Sequence, residues 1–249
     1  RTPGSTAARS RPLRRAPPSA AIRPAPARPR PRAHLHAAPR YRVLVDIPVE
    51  LAGSDDDLAA GLVDRGHAVA DGWLPPDLCD ALAAEAHALR DAGALRPARI
   101  GRGPTHALRP ELRGDHITWL EDHPPTDART ALTAALERLR RTLNRATLLG
   151  LFDHEGHFAA YPPGTGYAAH LDRHRDTDAR LVSCIVYLNR DWTPDLGGAL
   201  RIHRPDAPPL DIHPLAGRVA VFLSDRTLHE VLPARALRLS VVAWFLRRP

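Results

Sequence analysis

Residues 181–189 read LVSCIVYLN, and how this run is buried decides the fold. A strand with one face in water alternates apolar and polar residues. Here only Ser183 and the terminal Asn189 break the apolar sequence, so both faces are expected to be covered and the strand to lie centrally in its sheet. Around it, short β-rich runs separated by turns occupy the chain from 157 onward: 157–162, 199–203 (ALRIH), 209–213, 218–224 (RVAVFLS) and 239–246 (LSVVAWFL).

Before residue 150 the texture is helical. Residues 73–93, WLPPDLCDALAAEAHALRDAG, predict a helix opened by Pro75, Pro76 and Asp77 and closed by Gly93. Leu78, Leu82 and Leu89 share one face, interrupted by Glu85. A second helix is predicted over 126–146, where Leu132, Leu136, Leu139 and Leu143 recur at helical spacing. Residues 53–68 carry aspartates suited to a helix's first turn, 41–50 (YRVLVDIPVE) read as a strand or the approach to one, and 94–125 as irregular. Helices ahead of an all-β half predict helices packed on a sandwich of strands, an α+β fold that is mainly β.

Residues 1–38 are rich in arginine, proline and alanine and poor in large apolar side chains, so they are expected to be a disordered tail. The net charge of +7 resides there: the first 36 residues hold nine arginines and no acid, and the remainder sums to about −2. The folded part is therefore not expected to present a basic surface to nucleic acid, which leaves the tail as a weak basic arm. Two cysteines, Cys79 and Cys184, are too few for a disulfide framework and read as buried small hydrophobes in a reducing, cytoplasmic compartment. No apolar run approaches the ~20 residues of a membrane-spanning helix, and the basic N-terminus lacks the apolar stretch of a secretory signal. The sequence contains no methionine, so its first residue is not expected to be a translation start.

The β-rich half contains His170 and Asp172 in an H-x-D, a spacing that puts both side chains on one face of an extended segment, and His229 follows 57 residues later. Two imidazoles and a carboxylate make the facial set that suits iron(II) and leaves coordination positions open. Among 14 histidines an H-x-D alone is not specific. The surroundings sharpen it. Arg238 comes nine residues after His229, at the start of a hydrophobic strand, where a planar two-pronged donor suits a carboxylate. Tyr187, inside LVSCIVYLN, offers a hydroxyl to the same pocket or to a backbone partner in the core.

Taken together, YPPGTGY (161–167) before the H-x-D, CIVYLNRDW (184–192), GGALRI (197–202) and HEVLPARALR (229–238), with RGD at 113–115 and Trp119 upstream, resemble the HIF-type prolyl hydroxylases, a family of 2-oxoglutarate oxygenases. The resemblance covers roughly residues 70–247. It implies a double-stranded β-helix (a jelly-roll, cupin-like barrel of eight strands) over about 155–247, buttressed by helical support over 53–150, all within one domain of residues 39–249. It implies His170, Asp172 and His229 as iron ligands, Arg238 and Tyr187 on the distal carboxylate of 2-oxoglutarate, Tyr161 near its chelating end and Trp244 lining the pocket near Arg238. It further implies an Asp115–Arg180 ion pair and a loop, 94–114, folded over the mouth. The cofactors would be Fe(II), 2-oxoglutarate and O2, with ascorbate as reductant. The chain departs from the family at Val186, where the animal enzymes have a second tyrosine, and in the charged loop 173–179, one residue longer than the family's. It stops three residues after Leu246, so a C-terminal helix that holds peptide in larger relatives is not expected.

The substrate implied is a prolyl residue of a protein, hydroxylated at C4, with a translation factor the first candidate and a monomeric enzyme the default. Competing readings are the same chemistry on a free amino acid or other small metabolite, a non-catalytic β-barrel binding module, and a nucleic acid demethylase. The full set of ligands with Tyr187 and Arg238 argues against the binding module, and the near-neutral core against the demethylase.

Overall fold

The computed structural model describes residues 54–101, 107–173 and 179–248; the tail expected over 1–38 and the strand expected over 41–50 lie outside them. Among the described residues three α-helices lie ahead of residue 150, with short strands between them. Helix α1 (Asp55–Arg65) starts where the Ser54 hydroxyl accepts the Asp57 N–H, carries three aspartates in its first turn, and ends at Gly66 with φ 74°. Helix α2 (Pro76–Asp91) buries Cys79, Leu82 and Ala86. Helix α3 (Asp127–Thr147) is capped by Thr126 and buries the four leucines predicted for it. Glu85, which breaks the apolar face of α2, meets the Arg129 guanidinium at 2.5 Å and accepts the Thr126 hydroxyl at 2.7 Å. The interruption is the polar tie between α2 and the start of α3.

Two antiparallel sheets follow. The larger runs in the order β1 (His67–Ala70), β9 (Val219–Leu223), β6 (Arg180–Tyr187), β11 (Arg238–Arg247), β4 (Leu151–Tyr161), β3 (His116–Trp119), β2 (Arg96–Pro97). The smaller runs β5 (Tyr167–His170), β10 (His229–Val231), β7 (Leu200–Arg204), β8 (Ala207–Ile212). From β4 onward the chain crosses between the sheets, with only β7 and β8 consecutive in one of them, and this winding is the double-stranded β-helix. Strand β6 pairs with β11 on one side and β9 on the other, so LVSCIVYLN is central as expected. Its alternate residues serve two cores. Val182, Cys184 and Val186 join the cluster under the helices, with Leu82, Leu136 and Phe245. Ile185 and Tyr187 join the cluster between the sheets, with Leu200, Ile202 and Phe222. Continuous apolarity thus reflects burial on both faces. Asn189 closes the strand by donating to Pro214 O and Leu239 O and accepting the Leu239 N–H, which fastens β6 to β11.

The irregular reading of 94–125 is corrected in part. Within it, β3 pairs with β4 and β2 with β3. Both are short, Pro97 sits on the edge strand, and their pairing partner lies far along the chain, so local sequence carries no signal for them. Strand β4 also begins at Leu151, six residues before its apolar run, because its partner β11 extends that far.

Candidate metal centre and cosubstrate pocket

His170 ends β5 and His229 begins β10, and the two are direct register partners across the smaller sheet, with ring centroids 4.3 Å apart. Asp172 lies in the turn just past β5. Its Oδ1 is 3.4 Å from His170 Nε2 and its Oδ2 3.7 Å from His229 Nε2. One ligand atom from each of the three falls within 4.8 Å of the others. Each imidazole is oriented from behind: His170 Nδ1 lies 2.8 Å from Ala168 O and His229 Nδ1 2.9 Å from Thr227 O. A carbonyl only accepts, so both Nδ1 atoms carry the proton and both Nε2 lone pairs face the centre. Burial pushes the Asp172 carboxyl up, but at the acid pH where it titrates the protonated His229 and His170 rings, together with the Ser183 hydroxyl, outweigh burial and hold the group well below the usual carboxylate range. Burial lowers His229 to about 4, so its imidazole is neutral at neutral pH. Two neutral nitrogens and one anionic oxygen, preoriented on one side of a point, fit iron(II).

The three residues line a cavity of about 520 Å3 that also exposes Arg238, Tyr161 and Trp244. Arg238 is 2 % exposed. Its Nε donates to Gly198 O at 2.8 Å, its Nη1 reaches Ser240 Oγ at 3.4 Å, and no carboxylate among the described residues pairs with it. Gly197 and Gly198 both have φ near +70°, and a Cβ on Gly198 would stand 3.2 Å from Arg238 Cδ, so the GG of GGALRI lets the backbone meet the guanidinium. Tyr161 and Tyr187 flank Arg238, ring centres 5.0 and 5.2 Å from its Cζ. Tyr187 is fully buried and is not part of the cavity wall; its hydroxyl has no hydrogen-bond partner of good geometry, and burial pushes it up to about 12. A buried guanidinium with no acid partner, beside an orphaned hydroxyl, is short of an anion.

The comparisons with known proteins agree with this geometry. The 2OG-Fe(II) oxygenase superfamily matches residues 156–246. Human Egl nine homolog 1 is 34% identical over 190 residues, which are 73% of this chain and 44% of that protein. A crystal structure of a Pseudomonas putida prolyl-4-hydroxylase is 41% identical with a TM-score of 0.72, over 79% of this chain and 100% of that one. The chain belongs to the HIF-type prolyl hydroxylase family. A further family member, a Trichoplax adhaerens prolyl hydroxylase solved with a hypoxia inducible factor peptide, is 25% identical with a TM-score of 0.70, over 77% of this chain and 88% of that one. The chain spans less than half the length of the human Egl nine homolog that it matches.

Within this family fold, two expectations need revision. Asp115 does not pair with Arg180. It takes both prongs of Arg113, at 2.7 and 3.0 Å, while Arg180 pairs with Glu155 at 2.6 Å and lies 3.5 Å over the Trp244 ring. Arg113 is two residues from Asp115 and reaches it without crossing the cavity. Trp244 lines the cavity, but it stands six residues along β11 from Arg238, and its neighbours are Arg180, His157 and Trp119. Of the 94–114 loop, Arg96 to Gly101 and Arg113 line the mouth, and residues 102–106 lie outside the described residues. The sequence reading missed Arg113 packed over the Tyr167 ring at 4.8 Å, itself stacked on His170 at 3.6 Å. It also missed His157, stacked on Trp244. The RGD and GTGY motifs carried the first signal; nothing in the sequence marks the second.

Proposed function

We propose that this protein is an Fe(II)- and 2-oxoglutarate-dependent dioxygenase that hydroxylates a prolyl residue, at C4, in another protein. What carries the reading is the shared cavity: three side chains able to hold a metal and a buried arginine with no acid partner among the described residues open onto the same space. His170, Asp172 and His229 would hold the iron. Arg238 would take the distal carboxylate of 2-oxoglutarate, with the Tyr187 hydroxyl beside it and Tyr161 toward the chelating end. Trp244 would face the substrate side with Trp119. The chemistry that the iron and cosubstrate supply is oxidative: dioxygen is consumed, 2-oxoglutarate becomes succinate and carbon dioxide, and one oxygen atom enters a substrate C–H bond.

The chain's own residues orient and shield. The Nδ1–H donations of both histidines fix which nitrogen faces the metal. Tyr167 packs on the His170 ring and is pressed from the other side by Arg113. Ile117, Trp119, Ile185 and Val242 give the cavity apolar surface suited to a proline ring, which has no N–H to satisfy. A protein substrate is supported by the peptide bound to the Trichoplax relative. A translation factor is the first substrate to try, ascorbate the first reductant, and a cytoplasmic monomer of one oxygenase domain (39–249) the working form; among the described residues no helix is long and apolar enough to cross a membrane.

Anaerobic titration of the protein with iron(II) and then 2-oxoglutarate tests the centre. A visible charge-transfer band that needs both is expected, and its absence from folded, iron-loaded protein overturns the cosubstrate assignment. Proline-containing peptides and intact translation factors are then scored by mass spectrometry for the gain of one oxygen atom. Turnover of a free amino acid in place of every peptide would move the substrate class to small metabolites.

A further inference from the structure

One polar residue interrupts LVSCIVYLN inside the sheet, and the structure gives it an address. Ser183 is fully buried, between Trp244 on β11 and Phe222 on β9, and its hydroxyl lies 2.7 Å from Asp172 Oδ2. The same hydroxyl is 2.8 Å from that of Ser224, also fully buried. A serine has one hydroxyl proton. The Asp172 carboxylate is ionised and only accepts, so the Ser183 proton points to it, and the Ser183–Ser224 contact must then be made by the proton of Ser224. We propose that Ser224 and Ser183 form a one-way hydroxyl chain that orients the Asp172 carboxylate for the metal, and that Ser183 is a positioning residue of the centre. The proposal rests on the reading of His170, Asp172 and His229 as metal ligands.

The backbone supports the same conclusion. Ser224 O accepts the N–H of Arg173, the residue after Asp172, at 3.0 Å, and Ser224 N–H donates to Leu181 O at 3.0 Å. The Asp172 turn lies just past the smaller sheet's edge strand, Ser183 lies in the larger sheet and Ser224 just past that sheet's β9, so these bonds lash the turn across the barrel at the metal end. The carboxylate's two oxygens thereby acquire different tasks. Oδ2 is engaged by Ser183, while Oδ1, which faces His170 Nε2, has no hydroxyl partner and is left to the metal. An ordered chain of hydroxyls in a dry interior strengthens each bond in it and removes the carboxylate's freedom to rotate.

Calorimetric titration of the metal-free full chain with Mn(II), a redox-silent probe, tests this without turnover. Ser183→Ala is expected to weaken Mn(II) binding about tenfold or more, the range usual for a partner of a metal ligand. Ser183→Thr, which keeps the hydroxyl, is expected to restore binding to within about twofold of the parent, and Ser224→Ala to fall between the two. A role in packing alone would lower the melting temperature of Ser183→Ala and leave its Mn(II) affinity unchanged, and that result overturns the proposal. Should Ser183→Ala not fold, Ser183→Cys, of similar size with a feeble donor, decides in the same way. Asp172→Ala run alongside separates the two layers. If it binds Mn(II) as the parent does, the metal-centre reading itself fails; if it loses binding while Ser183→Ala does not, only the hydroxyl chain fails.

Discussion

The two faces of the seven-stranded sheet are made by the same strands and do opposite things. Toward the helices, β6, β9 and β11 present Val182, Cys184, Val186, Val219, Val221, Val241 and Phe245, all fully buried and all apolar. Toward the smaller sheet, the alternate residues of β4, β6 and β11 include His157, Ser183, Tyr187, Arg238 and Ser240, equally buried and polar. On the helix side these apolar side chains need only their apolar neighbours. On the cavity side the Tyr187 hydroxyl, both His157 ring nitrogens and the Trp244 N–H find nothing of good geometry. The comparison teaches where stability and function are stored. One face supplies rigidity, and the other holds buried polar groups left unpaired beside the proposed centre, at some cost to stability.

The division is broken most severely at Asp172. Asp172→Ala removes the one anionic ligand of the proposed centre and is expected to abolish Fe(II) binding and turnover, with the melting temperature of the metal-free protein little changed. Metal titration beside thermal unfolding checks it, and retained stoichiometric iron would remove Asp172 from the ligand set. Next comes Arg238→Gln. Loss of a buried charged partner costs about 2–5 kcal/mol, so 2-oxoglutarate affinity should fall by roughly 30-fold or more, with iron retained. Unchanged 2-oxoglutarate affinity would end that assignment. The converse break is Leu136→Ala on the helix side, fully buried in α3. It should cost about 2–5 kcal/mol of unfolding free energy through the cavity it leaves, while the metal affinity of the folded fraction stays as it was. A parallel loss of metal affinity in Leu136→Ala would mean that the two faces are not separable.

The same alternation explains what was legible in the sequence. Continuous apolarity in LVSCIVYLN required two covered faces, and the structure has them. Of the proposed ligands, His170 and Asp172 were legible because their geometry is local, one residue between them, whereas His229, 57 residues on, and Arg238 were carried by the motif HEVLPARALR. What was not legible depends on partners distant in the chain. HITW becomes a strand because β4 offers an edge, not because of its own composition. The expected Asp115–Arg180 pair failed because each side chain has a nearer partner, Arg113 two residues away and Glu155 one strand over. Ser183 read as an interruption because its partners, Asp172 and Ser224, lie on other strands' ends.

His157 gives the finest test of the comparison, because it is a polar group on the cavity side that no proposed ligand or cosubstrate contact uses. It is 1 % exposed, stacked 5.2 Å from Trp244, and burial lowers it to about 4. The folded state therefore holds a neutral imidazole where the unfolded chain titrates near the ordinary value of about 6.5. The sign follows from proton counting: between those two values the unfolded chain binds a proton that the folded one refuses, so stability rises with pH there. The contribution is complete above about 6.5 and is lost as pH falls toward 4. Replacing the ring by one of similar shape without nitrogens, His157→Phe, removes both the unmet hydrogen bonds and the titration. The variant is expected to be more stable than the parent by on the order of 1 kcal/mol at neutral pH, and to flatten part of the acid-side fall in melting temperature between pH 6.5 and 4. Melting curves across that range check both. Should His157→Phe be less stable at neutral pH and keep the parent's acid dependence, the imidazole is satisfied within the fold, and the cavity face is better packed than the comparison with the helix face holds.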